Sequence, residues 1–159
     1  MLKDYEFWFV VGSQLLYGAE VLDTVRERAE EMAARLSQAP DIPCRVVYKI
    51  TVKDDKECTE IMRQANQDDR CAGVITWCHT FSPSKMWIRG LQLLQKPWCH
   101  FATQYNRKIP NLEIDMDFMN LNQSAHGDRE HGFIGARMRK SRKIVTGYWE
   151  DTSVQKELG

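Results

Sequence analysis

The 159-residue sequence has no excess charge of either sign, no long apolar run and no paired-cysteine motif. Lys plus Arg and Asp plus Glu number 22 each, so neither a nucleic acid nor an anionic membrane is an expected partner. The apolar runs are too short to span a bilayer, and the N-terminus lacks the apolar region of a signal peptide. These absences predict a cytoplasmic globular protein with no membrane partner and no nucleic-acid partner.

The five cysteines give no sign of a disulfide framework or a metal site. Their number is odd, and no two of them have C-x-x-C spacing. We therefore expect reduced thiols that pack as small apolar residues, as is usual inside cells.

Motifs of several enzyme classes are also missing. The loop after the first apolar run reads G-S-Q-L-L-Y-G instead of G-x-G-x-x-G, and Leu15 and Leu16 stand where a pyrophosphate would need close backbone approach. A Walker A loop, H-E-x-x-H and a nucleophilic triad are absent, and no matched acid and base for chemistry at carbon can be assembled. His100 and His131 have no evident partner in the sequence, which predicts structural or exposed roles.

Short apolar runs alternate with amphipathic segments along the whole sequence. The runs predict strands at residues 5–11, 44–50, 72–77, 98–102 and 143–146. The amphipathic segments predict helices at residues 22–36, 54–66, after Ser82-Pro83, and at about 118–140 with a weak point at Gly127. Strands separated by helices favour an α/β fold: a three-layer sandwich with a parallel sheet, flavodoxin-like or Rossmann-like.

The end of the sequence predicts one further element. Thr152 and Gln155 have capping-box spacing, but only about two helical turns could follow them. We therefore expect an α/β domain at residues 1–151 and, at residues 152–159, the beginning of a helix that is cut short.

The loops after the strands contain side chains suited to binding a small molecule. In a parallel sheet they lie at one edge, which places Gln14, Leu16 and Tyr17 near residues 79–81 and 103–104. Amides and an imidazole can bond hydroxyl groups, while Phe and Leu can cover a C–H face, so a polyhydroxylated ligand is suggested. The alternative is that these residues only cap helices and pack.

A polar segment at residues 115–130 leaves two interpretations open. If the segment is helical, Gln123 shares a face with His126, and His126 shares one with Glu130. His126 and Glu130 could be two metal ligands, or more commonly a surface ion pair. Asp115 and Asp117 could be an acid–base pair, or more commonly groups that cap a helix.

Three strings resemble one known family closely. They are Y-E-F-W-F-V-V-G-S-Q-L-L-Y-G, C-A-G-V-I-T-W-C-H-T-F-S-P-S-K-M-W-I and I-D-M-D-F-M-N-L-N-Q-S-A-H-G-D-R-E-H-G-F-I-G-A-R-M. In order and spacing they resemble the amino-terminal domain of bacterial L-arabinose isomerase, and the resemblance covers essentially all 159 residues.

The resemblance implies an aldose–ketose isomerase of arabinose catabolism that interconverts L-arabinose and L-ribulose. It implies a divalent metal, usually Mn²⁺, held by two glutamates and two histidines, with the glutamates as acid and base through an enediol. All four belong to later parts of the family's sequence, so the resemblance implies no catalytic residue and no metal ligand here.

The family's hexamer implies a homo-oligomer in which this domain contacts the pentose in a neighbour's active site. The substrate-contacting positions implied are Gln14, Leu16, Phe81, Gln123 and His126, with Tyr17 adjacent. An enzyme domain that is inactive alone is the first hypothesis. A stand-alone paralogue that binds sugar or regulates an oligomer is the alternative.

Overall fold

A computed structural model describes residues 2, 4–81, 84–110 and 114–159. The strands within these ranges are β1 (Glu6–Gly12), β2 (Arg45–Val52), β3 (Cys71–Cys78), β4 (Trp98–Ala102) and β5 (Lys143–Thr146). The α-helices are α1 (Ala19–Leu36), α2 (Asp55–Gln67), α3 (Ile88–Leu93), α4 (Met116–Leu121), α5 (Ser124–Arg137) and α6 (Thr152–Leu158). Short 3₁₀ helices occur at Leu15–Tyr17 and Ser84–Trp87. The cap predicted at Ser82-Pro83 lies outside the described residues.

The five strands form one parallel sheet in the order β2-β1-β3-β4-β5. This is the flavodoxin-like order of doubly wound α/β folds. The predicted fold class is therefore confirmed, and the carboxyl ends of all the strands lie at one edge of the sheet. β1 lies between β2 and β3, and its apolar run is buried on both faces.

Helices cover both faces of the sheet and give it two cores. Successive residues of β1 point to opposite faces, so Phe9 packs with the buried side of α1 and α6, while Trp8 packs with α2 and α3. The buried face predicted for the first helix is confirmed, since Val25, Ala29 and Met32 are fully buried. The result is the predicted three-layer sandwich.

The long helix expected at residues 118–140 is in fact two helices, and the break was predicted at the wrong residue. Asn122 ends α4 in a non-helical conformation, and its side-chain amide donates a hydrogen bond to the carbonyl of Phe118 at 2.8 Å. Gln123 then precedes α5, whereas Gly127 lies inside that helix and is buried. The Gly127 carbonyl accepts a hydrogen bond from the hydroxyl of Ser84 at 3.2 Å.

The capping box expected at Thr152 was also wrong. Thr152 is the first helical residue of α6, the N-cap is Asp151, and the N-cap makes no side-chain cap bond. Gln155 instead donates its amide to the carbonyl of Trp149 at 3.1 Å. Val154 and Leu158 are buried, so α6 packs onto the core shared with α1.

All five cysteines are free, as predicted; four are buried and Cys99 is partly buried. None of the described helices combines the length and apolarity needed to cross a membrane.

Candidate functional site

Two loops at the carboxyl edge of the sheet are joined by direct hydrogen bonds. The hydroxyls of Ser13 and Thr80 lie 2.8 Å apart in the interior. Above them, Gln14 donates its amide to the carbonyl of Phe81 at 2.5 Å, and the hydroxyl of Tyr17 approaches the same carbonyl oxygen at 3.5 Å. The adjacency predicted for the loops after β1 and β3 is confirmed.

A third segment reaches the same place from α5. The ring of His126 lies 4.3 Å from the ring of Phe81, centroid to centroid, with the planes tilted by 56°. The His126 side chain remains 54% exposed. We call the cluster of Gln14, Tyr17, Phe81 and His126 the rim.

The other predicted positions lie beside the rim without a side-chain contact to it among the described residues. Leu16 is 71% exposed on the 3₁₀ helix between Gln14 and α1. Gln123 precedes α5, and its carbonyl accepts a hydrogen bond from the amide of His126 at 3.3 Å. Gln104, which was expected close to Gln14, instead lines a separate cavity beyond β4.

The rim combines amide, hydroxyl and imidazole groups with apolar surface. Since the Gln14 amide nitrogen is engaged by a backbone carbonyl, its orientation is fixed and its oxygen is left as an acceptor. Burial raises the pKa of Tyr17, which therefore stays a neutral hydroxyl. Phe81 and the exposed Leu16 supply apolar surface, a mixture that suits hydroxyl groups on a carbon chain.

A buried layer supports the rim, and the sequence did not reveal it. His79 is buried and stacks on Trp77 at 4.6 Å, and burial lowers the pKa of His79 to about 3. Arg28 donates hydrogen bonds to His79 Nε2 at 3.2 Å and to Asn122 Oδ1 at 3.3 Å. Although Arg28 lies among the charged residues of an amphipathic helix, where a solvated position is expected, it is half-buried, and burial lowers its pKa.

The open interpretations of residues 115–130 are settled in part by geometry. Asp115 accepts a hydrogen bond from the Phe118 amide at 2.7 Å and caps α4, so the capping interpretation is confirmed for it. His126 Nδ1 and Glu130 Oε1 are 3.9 Å apart, and both side chains are about half exposed, as in a surface ion pair.

A manganese site does not fit the residues that the structure describes. No three His, Cys, Asp or Glu side chains among them lie close enough together to hold a metal ion. We therefore derive no catalytic step through a metal from this part of the chain.

One pair of polar residues was missed by the sequence analysis altogether. His100 is buried, and its Nε2 lies 2.8 Å from Asp128 Oδ1. His131, also buried, stacks on His100 at 4.3 Å. Asp128 is 28 residues away from His100 in the sequence, so local residue spacing could not predict that the two side chains meet.

An open parallel sheet with helices on both faces defines a doubly wound α/β domain, and folds of this class hold their ligands at the carboxyl edge, where the rim lies. Sequence comparison gives the particular family. The profile of the L-arabinose isomerase N-terminal domain matches residues 1–159, and the chain belongs to this family.

Relatives named L-arabinose isomerase align with nearly the whole chain. The chain is 58% identical over 157 residues to the protein of Thermotoga petrophila, covering 99% of this chain and 32% of that relative. It is 56% identical over 158 residues to that of Koribacter versatilis, with 99% and 32% coverage. Identity to the protein of Pediococcus pentosaceus is 53% over 157 residues, with 99% and 33% coverage. The chain thus spans about a third of the length of these relatives.

Proposed function

We propose that this chain forms the substrate-contacting rim of an L-arabinose isomerase, which interconverts L-arabinose and L-ribulose. The observation that carries the proposal is the meeting of Gln14, Tyr17, Phe81 and His126, from three separate segments, at one accessible edge. The chain's family and the names of its relatives are the second line of support.

In this proposal the rim binds and orients the sugar and does no proton transfer itself. Gln14 accepts a sugar hydroxyl through Oε1, and His126 and Gln123 bond further hydroxyls. Leu16 and Phe81 lie against the C–H face and exclude water. Manganese and the proton-transferring carboxylates are assigned to other parts of the assembled cytoplasmic enzyme.

We further propose that the sugar is held by a neighbouring subunit of a homo-oligomer. Leu15 and Leu16 are 64% and 71% exposed, and an apolar loop tip of this kind is typical of a protein–protein contact. The exposure of the rim leaves it free to close over a site on another subunit.

A chimera tests the proposal directly. This chain replaces the 157 aligned residues of the Thermotoga petrophila relative, and formation of L-ribulose is measured with Mn²⁺ present. We expect an active chimera, in which Gln14→Ala and His126→Ala each raise KM about tenfold, the loss of roughly one hydrogen bond. Gln38→Ala, an exposed glutamine just after α1, is the matched control. An inactive but folded chimera, or an unchanged KM in both rim variants, would contradict the proposal.

The alternative is a stand-alone sugar-binding module. The two hydrophobic cores within these 159 residues support it, because a chain with its own cores can fold by itself. Titration calorimetry of the chain alone with L-arabinose and ribitol separates the two hypotheses. The rim domain of an enzyme should bind weakly, because half a pocket offers few contacts to offset the cost of association. Strong binding without Mn²⁺ would favour the module.

A further inference from the structure

A second cavity opens at the carboxyl edge of the sheet, away from the rim. It has a volume of about 570 Å³ and lies between α5 and the ends of β4 and β5. Three of the four rim residues follow β1 and β3, on the other side of the β3–β4 boundary in the strand order, and the fourth, His126, is not among the residues that line this cavity. The residues that matter for its chemistry are Thr103, Arg107, Ser124, Asp128, Arg129 and Thr146.

A directional chain of hydrogen bonds ends at Asp128 in the wall of this cavity. Trp98 Nε1 donates to Thr76 Oγ1 at 2.9 Å, so the Thr76 hydroxyl is free to donate to His100 Nδ1 at 3.0 Å. His100 Nε2 lies 2.8 Å from Asp128 Oδ1 at the other end of the ring. Asp128 is therefore oriented by a buried partner.

Asp128 therefore presents a fixed acceptor to the cavity. Its side chain is 14% exposed, and among the described residues only its Oδ1 has a hydrogen-bond partner. Ser124 lies one helical turn earlier on the same face of α5 and is 1% exposed. Its hydroxyl oxygen is buried without a hydrogen-bond partner in the described part of the chain, although the residue lines the cavity. An oriented carboxylate beside an unsatisfied hydroxyl suits a ligand that carries hydroxyl groups.

Positive charge is concentrated on the same walls. Arg107 and Arg129 line the cavity, and Asp128 is the only carboxylate among the described lining residues. Arg107 also contacts Asp151 at 3.2 Å, whereas Arg129 is exposed and forms no salt bridge with a described residue. The first residues of α5, Ser124 and Ala125, line the cavity too, and a helix N-terminus favours negative charge.

We propose that this cavity is a second binding site, distinct from the rim, for a small polyhydroxylated molecule that carries a phosphate or carboxylate group. Asp128 accepts the ligand's hydroxyl protons, and Ser124 completes its hydrogen bonding with the ligand. Arg129 and the first turn of α5 bind the anionic group. Phosphate and carboxylate share this chemistry, and the experiment below distinguishes them.

Heteronuclear NMR of the 159-residue chain tests the site with three probes: D-ribose 5-phosphate, D-ribonate and neutral ribitol. Each is added up to about 10 mM, which saturates a site of millimolar affinity. We expect at least one of the two anionic probes to shift the amides of Ala125, Thr146 and Gly147. That probe should bind at least about tenfold more tightly than ribitol. The tighter of the two identifies the anionic group.

Substitutions assign the two ends of the ligand. Asp128→Asn keeps an oxygen for His100 but replaces the free carboxylate oxygen with an amide donor, so the acceptor for the ligand's hydroxyl groups is lost. The anionic probes and ribitol should both be weakened about tenfold. Arg129→Gln should weaken the anionic probe similarly and leave ribitol unchanged. Asp69→Asn and Arg63→Gln, both exposed and far from the cavity, are the matched controls, and Gln14→Ala in the rim should have no effect.

Three results would overturn the proposal. They are no amide shift at the highest concentration, ribitol binding as tightly as both anionic probes, and binding unchanged in both Asp128→Asn and Arg129→Gln. If Asp128→Asn fails to fold, Arg129→Gln and Ser124→Ala carry the test, since the first is exposed and the second removes only a hydroxyl without a partner.

Discussion

At the residue scale, the interior holds histidines that cannot take up a proton easily. Burial lowers the pKa of His79 to about 3 and that of His131 well below its ordinary value. Arg28 adds to the effect at His79, because it donates to His79 Nε2 and is positively charged. Both rings therefore stay neutral in the folded protein at physiological pH.

This neutrality predicts sensitivity to acid. The unfolded chain protonates His79 near pH 6.5, while the folded chain does so only near pH 3, so stability is complete above pH 6.5 and falls as the pH decreases through that window. Between pH 6.5 and about pH 4 the loss from His79 is of order 3 kcal/mol, and His131 acts in the same direction. Urea unfolding over this range measures the slope.

Two variants separate His79 from the rest of the protein. His79→Gln should be less stable at pH 7 but should show a smaller pH slope than the wild type. His126→Gln, at a half-exposed position, is the matched control and should keep the wild-type slope. Equal slopes in all three proteins would show that His79 does not cause the acid sensitivity.

At the residue scale, the sequence predicted correctly which side chains meet when they lie just after strands of the parallel sheet. It did not predict contacts between residues that are far apart in the sequence. Gln14 and Phe81 come directly after buried strands, so their meeting could be predicted from the parallel sheet alone. Arg28 lies among charged neighbours on α1, and its partner His79 is 51 residues away. Nothing in the local pattern distinguishes Arg28 from the solvated residues beside it.

At the element scale, the entry into α1 depends on one glycine. Gly18 has φ of +83° and ψ of 171°, a conformation essentially restricted to glycine, and a Cβ there would meet no atom within 4 Å. Gly18→Ala should therefore destabilise the fold by about 1–3 kcal/mol through backbone strain alone. Denaturant unfolding measures the change.

Gly132 gives the matched control for this prediction. It lies within α5, has no left-handed φ, and a Cβ there also meets nothing within 4 Å. Gly132→Ala should be neutral or stabilising by up to about 1 kcal/mol, because alanine favours a helix. Equal destabilisation by both substitutions would rule out strain at Gly18 as the cause.

The break between α4 and α5 shows why element boundaries were harder to predict than the elements themselves. Apolar spacing runs on through this region, and Gly127 is the first glycine in it, a weak helix former. The chain instead breaks at Asn122, whose side-chain oxygen accepts hydrogen bonds from Arg28 and Asn106. These bonds come from other parts of the fold and could not be read from the local sequence.

At the scale of the whole molecule, the loop after β1 and the segment between β4 and α5 expose large apolar side chains. Leu15, Leu16, Ile109 and Met116 are each more than 60% exposed. We expect the purified chain to self-associate as its concentration rises, because exposed apolar surface of this kind favours burial between molecules. Light scattering coupled to size exclusion gives the mass at each concentration.

A paired substitution tests which loop is responsible. Leu15→Ser with Leu16→Ser should shift the protein towards monomer. Leu93→Ser, at the end of α3 near the opposite edge of the sheet and 44% exposed, should not. A constant monomer mass for the wild type at all concentrations would contradict the prediction.

The architecture was more predictable than the site because one rule governs it. Alternating apolar runs and helices leave few arrangements other than a parallel sheet covered on both faces. Core positions such as Trp77 and Met62 follow from that rule. The cavity beside Asp128 does not, since it depends on how α5 lies over β4 and on a histidine whose partner only the fold supplies.

The backbone carbonyl oxygen of Phe81 accepts hydrogen bonds from both Gln14 and Tyr17. The loops after β1 and β3 are therefore coupled through this one atom, and a ligand that displaces one loop must also disturb the other. Because the oxygen belongs to the main chain, replacing the aromatic ring at position 81 would change the apolar surface of the rim without uncoupling the loops. Substitutions at position 81 can thus change the surface offered to a ligand while the hydrogen bonds between the two loops stay the same.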